Sequence, residues 1–139
     1  MLRFLFDTDH VTLYQHAHSL IVKRFMASPP GSVGISAVSV EEVLRGRLAM
    51  LARPLSGSRR IQAYARLVAS VQLFWQFPII AFDQGSETLF QQFRTSKIRV
   101  GTQDLKIAAV ALANNLTLLT RNRVDFGRLP GLLLDDWSV

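Results

Sequence analysis

The sequence predicts an α/β fold, a sandwich of helices around a mostly parallel sheet. Short apolar runs of strand length recur along its 139 residues. Segments with apolar residues at helical spacing separate them. No internal repeat, linker or shift of composition divides the chain, so residues 1–139 read as a single domain, long enough for a real core.

Residues 2–6, ending in FLF, read as a buried strand, and residues 10–27 as helical with a break near His18. SPPGS, 28–32, is a loop by its Pro and Gly content, and VGISA, 33–37, a short strand. A helix from about Val40 to Leu51 carries Val40, Val43, Leu44, Leu48 and Leu51 on one stripe. RPLSGSRR, 53–60, is a basic turn. The next helix lines up Ile61, Tyr64, Ala65, Val68, Val71 and Trp75, a face expected in the core or at an interface. These two helices form a hairpin at about 39–76. FPIIAF, 77–82, is a strand, and 84–97 is helical. RVGTQD, 99–104, leads into LKIAAVALANN, a helix apolar on nearly all sides and therefore central. LTLLT, 116–120, is a strand, RNRVDFG a turn or short helix, and GLLLDDW a last short strand packed by Trp137.

Composition narrows the chemistry. The net charge is +6 and the pI about 10.8, with thirteen Arg against three Lys. Guanidinium groups fork onto phosphates, so an anionic partner fits, although a merely soluble basic protein has the same balance. The absence of cysteine excludes disulfides and thiolate metal sites and fits a reducing compartment. The longest uncharged stretch, Leu67 to Phe82, is short for a membrane span and is interrupted by Gln72, Gln76 and Pro78. No signal peptide is evident. The expectation is a cytoplasmic protein with no membrane partner.

Acids are scarce, ten in all, and four stand where strands end or the central helix opens. Asp7 follows the first strand, Glu42 the second, and Asp125 the strand at 116–120, while Asp104 opens the central helix. Each has an ordinary structural reading. Asp7 or Asp9 suits a helix N-cap. Ser39 and Glu42 have capping-box spacing. Thr102 can cap the central helix with Asp104 in its first turn. Asp125 suits a turn. Jointly they mean more, because parallel sheets gather the carboxyl ends of their strands along one edge, where ligands bind. Carboxylates gathered there repel one another unless a cation neutralises them. Oxygen donors without Cys or a clear His pair select a hard ion, Mg²⁺ or Mn²⁺, and such a site suits hydrolysis of a phosphate ester. His10, His16 and His18 read as packing or surface residues. Helical spacing does not choose between Glu41 and Glu42.

FLFDTDH, ISAVSVEEVLRG and GTQDLKIAAVALANNLTLLTRNRVDFGRLPGLLLDDW, in that order, resemble a PIN-domain ribonuclease, and more narrowly a VapC-like toxin of a bacterial type II toxin–antitoxin system. The likeness covers nearly the whole chain and is weakest over 53–98. It implies a PIN-like three-layer α/β/α sandwich and a Mg²⁺- or Mn²⁺-dependent endoribonuclease. It also implies a small antitoxin that occupies the site, and a homodimer. By position it assigns Asp7, Glu42 (four before Gly46, over Glu41) and Asp104 (after Gly101) to the metal and catalysis. A fourth acid is expected soon after Thr120; here Asn122 comes first and Asp125 next, so either or both take that place. Asp9 stands where relatives often have Asn. Thr8 and Thr120 are expected to hydrogen-bond the carboxylates. Arg121 and Arg123, which adjoin the acid edge, and Arg45 are expected on the RNA backbone.

Two rival readings stand beside this one. FLFDTDHV also fits a haloacid-dehalogenase-like phosphatase with Asp7 as nucleophile, Asp9 as acid/base and LLLDD at 132–136 as a late acidic pair. That reading leaves Glu42 and Asp104 without work. The other rival is a non-catalytic PIN-like module that binds RNA or a partner without cutting.

Overall fold

A computed structural model describes residues 1–139. Five strands form one sheet: β1 (Phe4–Phe6), β2 (Val33–Ser36), β3 (Ile79–Ile80), β4 (Thr117–Leu119) and β5 (Leu134–Asp135). Their order is β3-β2-β1-β4-β5, and every pairing is parallel. The sheet is thus wholly parallel. β1 lies at its centre, with Phe6 in register with Ile35 on one side and Leu119 on the other. Those three residues end at one edge, so the residues that follow them are neighbours in space although distant in sequence.

Seven helices complete the chain: α1 (Thr8–Gln15), α2 (Ser19–Ala27), α3 (Ala37–Leu51), α4 (Gly57–Phe74), α5 (Gln84–Thr95), α6 (Thr102–Ala113) and α7 (Arg123–Phe126). They make the outer two layers because strand side chains alternate between faces. Leu5 and Leu118 face a core with Phe90 and Phe93 of α5 and the buried run Ile107–Ala111 of α6. Phe6, Ile35 and Leu119 face the other core, with Val11, Ile21, Leu73, Phe74 and Trp137. No helix is long and apolar enough to cross a membrane.

The helix break expected near His18 is there. Ala17 takes a positive φ of 59°, and His18 caps α2 by accepting the Ile21 N–H. Two local expectations change. Helix α3 begins at Ala37, its N-cap is Ser36, and Ser36 Oγ accepts the Ser39 N–H at 3.1 Å. The Ser39–Glu42 capping box therefore does not form. Helix α6 starts on Gly101 with no side-chain cap, so Thr102 is not the cap either.

The largest departure is α4. Ile61, Tyr64, Val68, Val71 and Trp75 are exposed, Trp75 at 86%. Ala63, Ser70, Leu73 and Phe74 are buried instead. A second helical stripe, small at Ala63 and Ser70 and large at Leu73 and Phe74, faces inward, with α4 packed against α3. Ser70, fully buried, is satisfied there by Arg47 Nε at 3.1 Å. Leu48, on the expected stripe of α3, is also exposed.

Candidate functional site

Asp7 is the N-cap of α1, as its sequence position allows, with Oδ1 accepting the His10 N–H at 2.7 Å. Capping occupies one oxygen. The residue is only 5% exposed, yet it lines an open pocket of roughly 510 Å³ at the carboxyl edge of the sheet. Thr8, Asp9, Glu42, Asp104, Arg121, Asn122 and Phe126 complete the lining. Asp7, Glu42 and Asp104 thus come together from β1–α1, α3 and α6.

Because Ser36 caps α3, Glu42 lies well inside the helix and its side chain is free of capping. It accepts from Thr8 Oγ1 at 2.6 Å, and Thr8 Oγ1 also lies 2.9 Å from Ser39 Oγ. Glu41 points elsewhere, to Arg45 and to Gln103 Nε2 at 3.0 Å. Burial, followed by the charges of Glu42, Asp7 and Asp125, pushes the Asp104 carboxyl up to about 6. No Lys or Arg pairs with Asp7, Glu42 or Asp104, although the chain carries sixteen such cations. Four carboxylates, Asp7, Asp9, Glu42 and Asp104, face the pocket against one cation, Arg121, which is paired with Asp9; the excess of negative charge is the condition a hard divalent ion relieves.

The structure separates Asn122 from Asp125. Asn122 lines the pocket and Asp125 does not. Asn122 caps α7, accepting the Asp125 N–H at 3.2 Å and donating Nδ2 to Asp125 Oδ2 at 3.0 Å. Asp125 also pairs with Arg128 at 3.4 Å. Asp125 therefore stands behind Asn122 and acts on the pocket through its charge. Thr120 does not bond a carboxylate; its Oγ1 accepts the Asn122 N–H at 2.9 Å and sets the turn after β4.

Asp9 is held in a bidentate pair with Arg121, at 2.7 and 3.0 Å. The tightest convergence of possible ligand atoms is Asp7, Asp9 and His10, all within 4.8 Å of one another. That trio is an unfavourable metal set. Asp9 is already neutralised by Arg121, and His10 Nε2 accepts the Trp137 N–H at 3.2 Å. The open oxygens belong to Asp7, Glu42 and Asp104. The phosphatase alternative gains no support here, since its acid/base Asp9 is paired with Arg121 and the pocket also gathers Glu42 and Asp104, which that reading leaves without work. In its late pair, Asp136 Oδ1 accepts from Ser138 N and Oγ at 2.8 and 2.6 Å, which helps hold the Asp136 carboxyl below its usual range.

The three basic residues expected on RNA are all engaged within the chain: Arg121 with Asp9, Arg45 with Glu41 and Arg123 with Asp135 at 3.7 Å. Arg53, Arg59 and Arg66 have no acidic partner, and they line a separate pocket of about 460 Å³ at the turn between α3 and α4. Arg53 and Arg59 belong to the basic turn at 53–60, whereas Arg66 lies inside α4; their freedom from ion pairs did not show in the sequence.

Comparison with known proteins adds four findings. The pattern of the PIN domain matches residues 7–132. A 39-residue stretch, 28% of this chain and 29% of the relative, is 47% identical to "Ribonuclease VapC2" of Rickettsia felis. The chain is 26% identical over 144 aligned positions, 99% of its length and 100% of the relative's, to "tRNA(fMet)-specific endonuclease VapC" of Shigella flexneri. Among solved structures, the DNA-bound VapBC of Salmonella typhimurium superposes with a TM-score of 0.84 at 24% identity, covering 99% of each chain.

Proposed function

The chain belongs to the PIN-domain family, and from that premise we propose that it is a metal-dependent endoribonuclease, the toxin of a type II toxin–antitoxin pair. The carrying observation is the shared pocket of Asp7, Glu42 and Asp104, where burial and mutual repulsion push Asp104 up to about 6 and no Lys or Arg pairs with any of the three. An all-oxygen donor set of this charge fits Mg²⁺ or Mn²⁺. Asp7, Glu42 and Asp104 are the residues that would hold it, with Asn122 beside them and Asp125 adding charge from behind. When bound, the ion supplies positive charge that promotes attack of water on the phosphodiester and offsets the charge on the phosphoryl oxygens.

The chain's own groups do the rest. Thr8 fixes Glu42 by its short hydrogen bond, so the carboxylate enters the pocket in one rotamer. Asp7 caps the start of α1 and Asp104 sits in the first turn of α6, so the two helix starts carry these carboxyl groups to the pocket. Asn122 is held by its reciprocal bonds to Asp125 and presents its amide to the pocket without adding charge. Arg121, locked by Asp9 at the rim, offers positive charge to a phosphate entering from solvent. The free Arg53, Arg59 and Arg66 suit a more distant stretch of RNA backbone.

The exposed apolar face of α4 supports protein partners. Ile61, Tyr64, Val68, Val71 and Trp75 form a stripe larger than scattered surface residues need. We assign this face to the antitoxin and to a second copy of the chain. The test of the whole reading is RNA cleavage with Mg²⁺, with Mn²⁺ and with chelator, beside Asp7→Asn purified identically. Cleavage should need the ion and Asp7. Equal cleavage by Asp7→Asn, or cleavage in chelator, refutes it.

A further inference from the structure

His10 is completely buried on α1, one turn after Asp7, and no step above uses it. Its ring is fixed from two sides. The Trp137 N–H donates to Nε2 at 3.2 Å. A ring nitrogen that accepts a hydrogen bond carries no proton, so the neutral imidazole bears its proton on Nδ1. Nδ1 has no hydrogen-bond partner and lies 3.4 Å from Asp7 Oδ1. Asp136 Oδ1, 3.6 Å from Nε2, does not compete for that nitrogen, because it is already taken up by Ser138. The segment that supplies Trp137 is itself anchored. Arg24 donates to the Asp136 and Val139 carbonyls at 3.1 and 2.6 Å, and the indole packs on Phe4 with ring centroids 5.0 Å apart.

We propose that His10 is a positioning residue for Asp7. Its backbone N–H donates to Oδ1 at 2.7 Å, and its Nδ1 lies 3.4 Å from the same oxygen, near but not hydrogen-bonded. The other oxygen, Oδ2, has no partner in the chain and stays free for the pocket. Loading of the site shortens the Nδ1–Oδ1 approach to a full hydrogen bond, which orients the carboxylate as outer partners of ligands do. Nε2 passes the constraint on to the C-terminal segment at Trp137, 127 residues away in sequence. The inference rests on the metal reading above and adds to it a residue that touches neither ion nor RNA.

The two ring nitrogens can be tested apart. His10→Gln places an amide oxygen near the Nε2 position, keeping the acceptor for Trp137 and losing the donor to Asp7. His10→Asn places an amide nitrogen near the Nδ1 position, keeping the donor and losing the link to Trp137. Mn²⁺ binding to the full chain is measured by calorimetry, with no RNA present. His10→Gln should bind Mn²⁺ about 10–100-fold more weakly, the usual effect of losing such a partner, while His10→Asn binds close to the parent. On the unsubstituted protein, ¹⁵N NMR should find Nδ1 protonated and Nε2 bare, and added Mg²⁺ should move the Nδ1 proton downfield. A ring protonated on Nε2 overturns the proposal, as does Mn²⁺ affinity in His10→Gln equal to the parent's. If the parent itself shows no saturable Mn²⁺ site dependent on Asp7, the metal reading falls and this one with it. Tight parental binding left untouched in His10→Gln removes the positioning role alone.

Discussion

Replacing Asp104 with Asn should stabilise the metal-free protein and abolish its function. Asp104 is raised from 3.8 to about 6, mostly by burial and then by Glu42, Asp7 and Asp125. A carboxyl that ionises less readily in the native state than in the unfolded one opposes folding once it is charged. Below the unfolded value both states hold the proton and the group costs nothing. As pH rises the unfolded chain releases it first, and the native state carries its full penalty only above about 6. A gap of about 2 units at roughly 1.36 kcal/mol each sets a ceiling near 3 kcal/mol. Asp104 faces an open pocket and is only half-buried, so solvent screening reduces this to about 1–2 kcal/mol. Asn is nearly isosteric and uncharged, and it should recover that amount, a rise in Tm of roughly 3–8 °C for a chain of this size. The assay is denaturant and thermal unfolding in chelator, parent beside Asp104→Asn, across the acid range. The gain should be complete near pH 7.5, shrink between about 6 and 4, and vanish near pH 3.5. Saturating Mn²⁺ should reverse the order, because only the parent gains stability from binding. A metal-free Asp104→Asn less stable than the parent at neutral pH, or a gain independent of pH, would refute the reasoning.

Other outcomes follow from the same geometry. Asp9→Asn breaks an exposed, solvent-screened pair with Arg121, so an unfolding titration should show little change, and RNA cleavage should survive. A loss as deep as that of Asp7→Asn would give Asp9 a part in the chemistry. Arg53→Ala, Arg59→Ala and Arg66→Ala combined should weaken RNA binding and lower the slope of log affinity against log salt by about 2. An unchanged slope, measured by fluorescence anisotropy, would remove that pocket from the RNA path.

The strand–helix alternation was legible because strands buried on both faces read as short continuous apolar runs, while most helices repeat apolar residues every 3.6. The joint placement of Asp7, Glu42 and Asp104 was legible for a related reason. Parallel strands deliver their carboxyl ends to one edge, so the residue after each strand has a known destination. The family resemblance then chose Glu42 over Glu41, which spacing left open.

Tertiary structure decided what depends on partners far along the chain. Helix α4 carries two stripes at helical spacing, and only packing on α3 selected the one with Ala63 and Ser70. The pairs Asp9–Arg121 and His10–Trp137 span 112 and 127 residues. No local pattern announces such contacts, because they depend on which helix face the sheet covers and on where the last turn of chain returns. The choice of Asn122 over Asp125 at the pocket likewise turned on one short helix, α7, whose cap points the amide inward and leaves the carboxylate behind it. Sequence settled which segments meet at the sheet edge, since backbone periodicity is local; coordinates settled which atoms face one another, since side-chain pairing is not.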